Sequence, residues 1–110
     1  MAALIVHVPH ASVLIPAHAL VDYCVDAPTL RHELARLTDW YTDELFTYGF
    51  PDECVSRADV SRLVTDVERF ADDGQEGCSK VGMGATYTRT SKGAILRDLS
   101  HTRREQLLAQ

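Results

Sequence analysis

One long apolar stripe in the middle of this chain limits what it can fold into. Leu30, Leu34, Leu37, Tyr41, Leu45 and Tyr48 recur at steps of three and four. That spacing places them on one face of a helix. Asp26 and Pro28 are good starting residues, and Gly49 followed by Pro51 is a good stop. The spacing therefore predicts a helix over residues 28–48, whose opposite face carries His32, Arg36, Asp39 and Asp43. A helix with one apolar face needs a partner layer, and the flanking segments look β-like. Residues 2–8 (AALIVHV) read as a buried strand that Pro9 stops, since proline cannot donate to a ladder. Residues 54–62 form a linking stretch with room for a short strand, and residues 63–67 (LVTDV) read as another strand. The polar, glycine-rich residues 71–84 read as a mobile loop. ATYTRT and AILRDL flank Ser91-Lys92-Gly93 as a β-hairpin would. Thr102 and Glu105 have capping-box spacing ahead of Leu107 and Leu108, so a last helix begins there. The mixture predicts an α/β class. A chain of 110 residues fits one small domain, 1–110, and no repeat or composition shift marks a second.

Charge and composition remove several functions. A net charge of -5 and a pI near 5.4 argue against nucleic-acid or anionic-membrane binding. No apolar run approaches the roughly 18 residues of a spanning helix. The first twenty residues are apolar-rich, but they lack a basic start and are interrupted by His7, Pro9, His10, Pro16 and His18, so they read as mature protein. The 3 cysteines, Cys24, Cys54 and Cys78, are odd in number and show no CxxC spacing. Reduced thiols in a cytoplasmic protein account for them.

Three clusters carry potential chemistry. His10 follows the first predicted strand, between Pro9 and the small residues Ala11 and Ser12. A histidine there can reach a metal or substrate while the sheet holds its backbone. Equally, it can be an ordinary loop histidine; His7 and His18 read as structural. Asp39 and Asp43 are four apart, so a helix would align their carboxylates. That repulsion is relieved by a divalent metal or by a nearby cation such as Arg36, and solvated acids on a helix face are the plain alternative. Arg62, Asp66 and Arg69 form the third cluster. Two arginine forks match carboxylates, and a structural ion pair is equally natural. Residues 82–85 (GMGA) lack the GKS/T of a phosphate loop, no GxSxG elbow occurs, and no cysteine has an evident histidine partner.

These clusters follow a fixed order: V-P-H-A-S, T-D-W-Y-T-D-E-L-F, S-R-L-V-T-D-V-E-R, a glycine-rich loop, then G-A-T-Y-T-R-T-S-K-G-A-I-L-R. The order and wording resemble the N-formylglutamate amidohydrolase family over about residues 5–110. The resemblance implies a three-layer α/β sandwich around a mixed sheet, similar to zinc-dependent exopeptidases. It implies a metal-dependent hydrolase that splits the amide of a small N-acyl amino acid, releasing formate and glutamate in the family's namesake reaction. Zinc or another divalent metal would be held by His10, Asp39 and Asp43, while Ser12, Arg62, Asp66 and Arg69 would serve the substrate. The resemblance also implies that this chain is the N-terminal portion of a longer domain, with the general base outside it. Two departures stand out: the family often has His where this chain has Tyr41, and Asn where it has Glu68. A charge at Glu68 would weaken an acidic substrate's binding beside the arginines. The expected partners are a small molecule and a second copy of the chain, without nucleic acid or membrane. The competing expectation is a truncated remnant that binds or oligomerises without turnover.

Overall fold

The computed structural model describes residues 4–109. Strand β1 spans Val6–Val8 and strand β2 spans Val55–Arg57. They pair in parallel, with Val6 opposite Val55, His7 opposite Ser56 and Val8 opposite Arg57. A parallel pair needs a long crossover. Residues 9–54 supply it through α1 (Ala17–Leu20), α2 (Ala27–Leu37), α3 (Thr42–Leu45) and a 3-10 turn at Asp52–Cys54. Helix α4, His101–Leu108, comes last. The chain is thus α/β, with a two-stranded parallel sheet among the described residues. The expected first strand included Ala2 and Ala3, which lie outside those residues, as does the chain end at Gln110.

Helix α2 starts as anticipated. The Asp26 carboxylate accepts the Thr29 N–H at 2.9 Å, and Pro28 occupies the first turn. Such a cap satisfies a donor that the helix itself leaves open. The anticipated length is corrected: α2 stops at Leu37 rather than running to residue 48. Thr38 turns extended, and its hydroxyl donates to the Leu34 carbonyl at 2.6 Å. The Trp40 indole donates to the Ala35 carbonyl at 2.9 Å. Side chains therefore satisfy the carbonyls of the last turn, and the Asp39 N–H is released to bond the His10 carbonyl at 2.9 Å. Tyr41 then takes a left-handed φ of 64°. The second half of the stripe leaves the core, with Tyr41, Leu45 and Tyr48 exposed by 67%, 71% and 89%.

Two small cores form among the described residues. One gathers Leu30, Leu63, Tyr87 and Leu96; the other gathers Ala19, Val64 and Leu107. Burying one such aliphatic side chain contributes about 1.5–3 kcal/mol. Residues 63–67 supply Leu63 and Val64 to these cores, but as a compact turn rather than the expected strand. Ser61 causes the turn, since its carbonyl accepts the Val64 N–H at 2.9 Å and its hydroxyl accepts the Leu63 N–H at 3.1 Å. The hairpin survives as a short ladder. Arg89 and Ile95 bridge antiparallel, and Gly93 turns at a φ of 85°. Helix α4 is capped by Ser100, whose hydroxyl accepts the Arg103 N–H at 3.1 Å, not by Thr102. Within the expected loop, Gly77–Val81 winds a 3-10 turn. No helix of the described residues is long and apolar enough to cross a membrane.

Candidate active site

Strand β1 ends at Val8, Pro9 cannot extend it, and His10 is the next side chain. Its imidazole is 5% exposed and lies between two carboxylates. Nε2 is 2.7 Å from Asp66 Oδ1, and Nδ1 is 3.5 Å from Asp39 Oδ2. The break after α2 brings Asp39 here, because its amide is tied to the carbonyl of His10 itself.

Asp66 is completely buried and is the hub of the cluster. Oδ1 accepts from His10 Nε2 at 2.7 Å and from the Glu68 N–H at 3.0 Å. Oδ2 accepts from the Tyr87 hydroxyl at 2.8 Å and from Arg62 at 3.2 Å. Burial alone would push this carboxyl up. The hydrogen bonds from His10, Tyr87 and the Glu68 amide, with the charge of His10, outweigh it and hold Asp66 well below the usual carboxylate range. Burial, then the hydrogen bond to Asp66 and its charge, push the Tyr87 hydroxyl up to about 12 despite Arg62. Tyr87 is therefore the donor and Asp66 the ionised acceptor.

That charge state settles the histidine tautomer. An ionised carboxylate only accepts, so His10 carries a proton on Nε2. When the ring is neutral, the Nδ1 lone pair is then turned toward Asp39. The 3.5 Å gap exceeds the usual range for a direct hydrogen bond. It matches two ligands of one ion, since zinc bonds of about 2.1 Å in a tetrahedral site put neighbouring ligand atoms about 3.4 Å apart. A carboxylate behind a ligating histidine is also the usual support for a metal.

Glu68 adds a further acid. Its Oε2 is 3.7 Å from His10 Nε2, and its side chain is 45% exposed. His10, Asp66 and Glu68 thus bring one potential ligand atom each within 4.8 Å of one another, a group that could hold a metal. Three carboxylates, on Asp39, Asp66 and Glu68, thus surround the His10 ring, and the guanidiniums of Arg62 and Arg69 lie against Asp66 alone.

The arginines of the anticipated clamp both turn to Asp66. Arg62 donates to it from one terminal nitrogen and to Tyr87 from Nε at 2.9 Å. Arg69 Nε lies 3.8 Å from Asp66 and bonds the Met83 carbonyl at 3.4 Å. Its two terminal nitrogens make no bond among the described residues. The Ser12 hydroxyl donates to the Asp59 carbonyl at 3.0 Å and accepts the Leu14 N–H at 3.1 Å, which pins its own loop. Asp43 lies in the first turn of α3 and accepts the Glu44 N–H at 3.0 Å; among the described residues it makes no ion pair with His10. The break after Leu37 separates its helix from Asp39, so the alignment expected from their spacing is not formed.

Sequence reasoning treated Glu68 only as a departure and passed over Tyr87 and Arg97. Arg97 is 1% exposed, donating from Nε to the Tyr87 carbonyl at 2.6 Å and from its NH2 group to the Val64 carbonyl at 2.9 Å. It thereby ties the hairpin to the turn that carries Asp66. A lone arginine among the apolar residues of AILRDL was the available signal.

Comparison with curated proteins and with solved structures gives no match. The sequence model of the N-formylglutamate amidohydrolase family matches residues 2–110. Because that match takes in the histidine, the break-derived aspartate and the buried hub together, the chain belongs to the N-formylglutamate amidohydrolase family.

Proposed function

We propose that the chain carries part or all of a metal-dependent amidohydrolase site acting on an N-acyl amino acid. The observation that carries this is the His10–Asp39 pair, spaced for a shared ion with Asp66 locked behind the imidazole. His10 Nδ1 and Asp39 would hold a divalent metal such as zinc. When bound, the ion supplies Lewis-acid activation of a water and of the amide carbonyl. Asp66 keeps the histidine in the tautomer that leaves Nδ1 free. Glu68 lies on the other side of the ring, its Oε2 3.7 Å from Nε2 and its side chain open to solvent, and would relay a proton between water and the leaving amine. Arg69 offers its terminal nitrogens to the substrate carboxylate, and that anchoring positions the amide.

The test is zinc titration of the purified chain combined with formate release from an N-formyl amino acid. Stoichiometric zinc and formate are expected, and both should be lost in His10→Ala and Asp39→Ala. Retention of zinc and turnover in both variants overturns the assignment. A second reading, binding without turnover, is favoured by one observation. His10 and Asp39 supply two spaced ligands, whereas a catalytic zinc usually takes three from protein. Zinc uptake without formate release supports that reading.

A further inference from the structure

The Asp66 carboxylate is claimed from two sides, by His10 and by Arg62, and Tyr87 stands between the claims. The Tyr87 hydroxyl donates to Asp66 Oδ2 at 2.8 Å and accepts from Arg62 Nε at 2.9 Å. Arg62 can only donate, so the hydroxyl proton goes to Asp66. A terminal nitrogen of Arg62 reaches the same Oδ2 at 3.2 Å. Arginine favours a two-bond pairing in which two of its N–H groups take both oxygens of a carboxylate. That pairing is not formed here, because Nε is spent on the hydroxyl. Oδ1 is thereby left to His10 Nε2 at 2.7 Å and to the Glu68 N–H at 3.0 Å. The Tyr87 ring is fully buried, and its segment is tied to that of Asp66 twice. The Ala85 carbonyl accepts the Asp66 N–H at 2.7 Å, and the Arg97 guanidinium bridges the Tyr87 and Val64 carbonyls.

We infer that Tyr87 is a positioning residue for His10: by occupying Arg62 Nε it stops the guanidinium from taking both oxygens of Asp66, and so keeps Oδ1 on the imidazole. Without the hydroxyl, Nε is released, the carboxylate turns toward the two-bond pair, and His10 Nε2 loses the acceptor that holds its proton. The consequence for a metal rests on the function proposed above, in which the open Nδ1 is the ligand atom.

The test reads the His10 ring of the full chain by long-range nitrogen–proton NMR, at a pH where the ring is neutral, with zinc calorimetry in parallel. Tyr87→Phe keeps the buried ring and removes only the hydroxyl. It should raise the Nδ1-protonated tautomer from a minor form to about half and weaken zinc binding about tenfold. Adding Arg62→Lys to that variant should restore the wild-type tautomer, because lysine lacks the rigid fork that would claim Oδ1. A packing role alone predicts no such rescue. Arg62→Lys by itself should leave the tautomer as in the wild type, and this measurement stands even if Tyr87→Phe does not fold. An unchanged His10 ring in Tyr87→Phe overturns the inference, as does a double variant that stays perturbed or a perturbed ring in Arg62→Lys. The expected tautomer pattern without zinc uptake by the wild-type chain leaves the role of Tyr87 standing and removes the metal-site assignment instead.

Discussion

Replacing Asp66 with Asn keeps the side chain's shape and removes one acceptor from a point where four donors meet: His10 Nε2, the Glu68 amide, Tyr87 and Arg62. If the new amide nitrogen takes the Oδ2 position, it faces Arg62, which has no lone pair to offer. Tyr87 alone could adapt by rotating its hydroxyl. If it takes the Oδ1 position, it faces the Glu68 N–H, which also cannot accept. His10 would then have to move its proton to Nδ1, the atom turned toward Asp39. Each buried donor left unpaired costs about 1–3 kcal/mol. Breaking the buried pair with Arg62 brings the total to about 3–5 kcal/mol. Domains are commonly stable by about 5–15 kcal/mol, so the variant should remain folded but strained. The second consequence is on metal binding, where loss of such a supporting carboxylate typically weakens affinity about 10–100-fold. Urea unfolding followed by circular dichroism gives the first number, and zinc calorimetry under conditions where the variant is folded gives the second. A destabilisation under about 1 kcal/mol together with unchanged zinc affinity would refute the role assigned to this carboxylate.

Other expected outcomes follow from the same contacts. Arg97→Lys should destabilise by about 2–4 kcal/mol in thermal or urea unfolding, because a lysine cannot reproduce the fork to the Tyr87 and Val64 carbonyls and leaves buried acceptors unpaired. Ser100→Ala should cost about 1 kcal/mol by removing the cap of α4, with zinc affinity unchanged. Asp43→Ala should leave zinc affinity within about twofold, because its carboxylate serves α3 rather than His10. Acid should weaken the fold through Asp66. Its folded pKa lies below the unfolded value of about 3.9, so the stability it confers is full above that pH and is lost as pH falls through the folded value. A melting curve taken at descending pH should steepen below about pH 4, and Asp66→Asn should flatten that acid limb.

The parts that were legible in the sequence are those governed by local rules. The Asp26–Pro28 helix start, the Pro9 stop and the Gly93 turn each follow from one residue's backbone chemistry, and each is found where expected. The prediction failed where a tertiary bond competed with periodicity. The stripe from Leu30 to Tyr48 reads as one helix because apolar spacing carries no record of the His10 carbonyl, which takes the Asp39 N–H and ends it. The run at residues 63–67 looks β-like because Leu63 and Val64 are buried, yet Ser61 bends it into a turn. The same competition explains the site. His10 stood out by its place after a strand, and Asp39 by its neighbour Asp43, but their meeting depends on the helix break. Asp66 was visible as an acid between arginines; its four-donor environment was not, since Tyr87 comes from the hairpin, twenty-one positions away.

The most direct measurement is long-range nitrogen–proton NMR of the His10 ring in 15N-labelled protein, recorded without and then with zinc. Without metal, Nε2 should show a protonated, pyrrole-like shift and Nδ1 a pyridine-like one. Addition of zinc should move the Nδ1 resonance while Nε2 keeps its proton to Asp66. A zinc-induced change centred on Nε2, or a ring that ignores zinc altogether, would contradict the arrangement of His10 between Asp66 and a metal shared with Asp39.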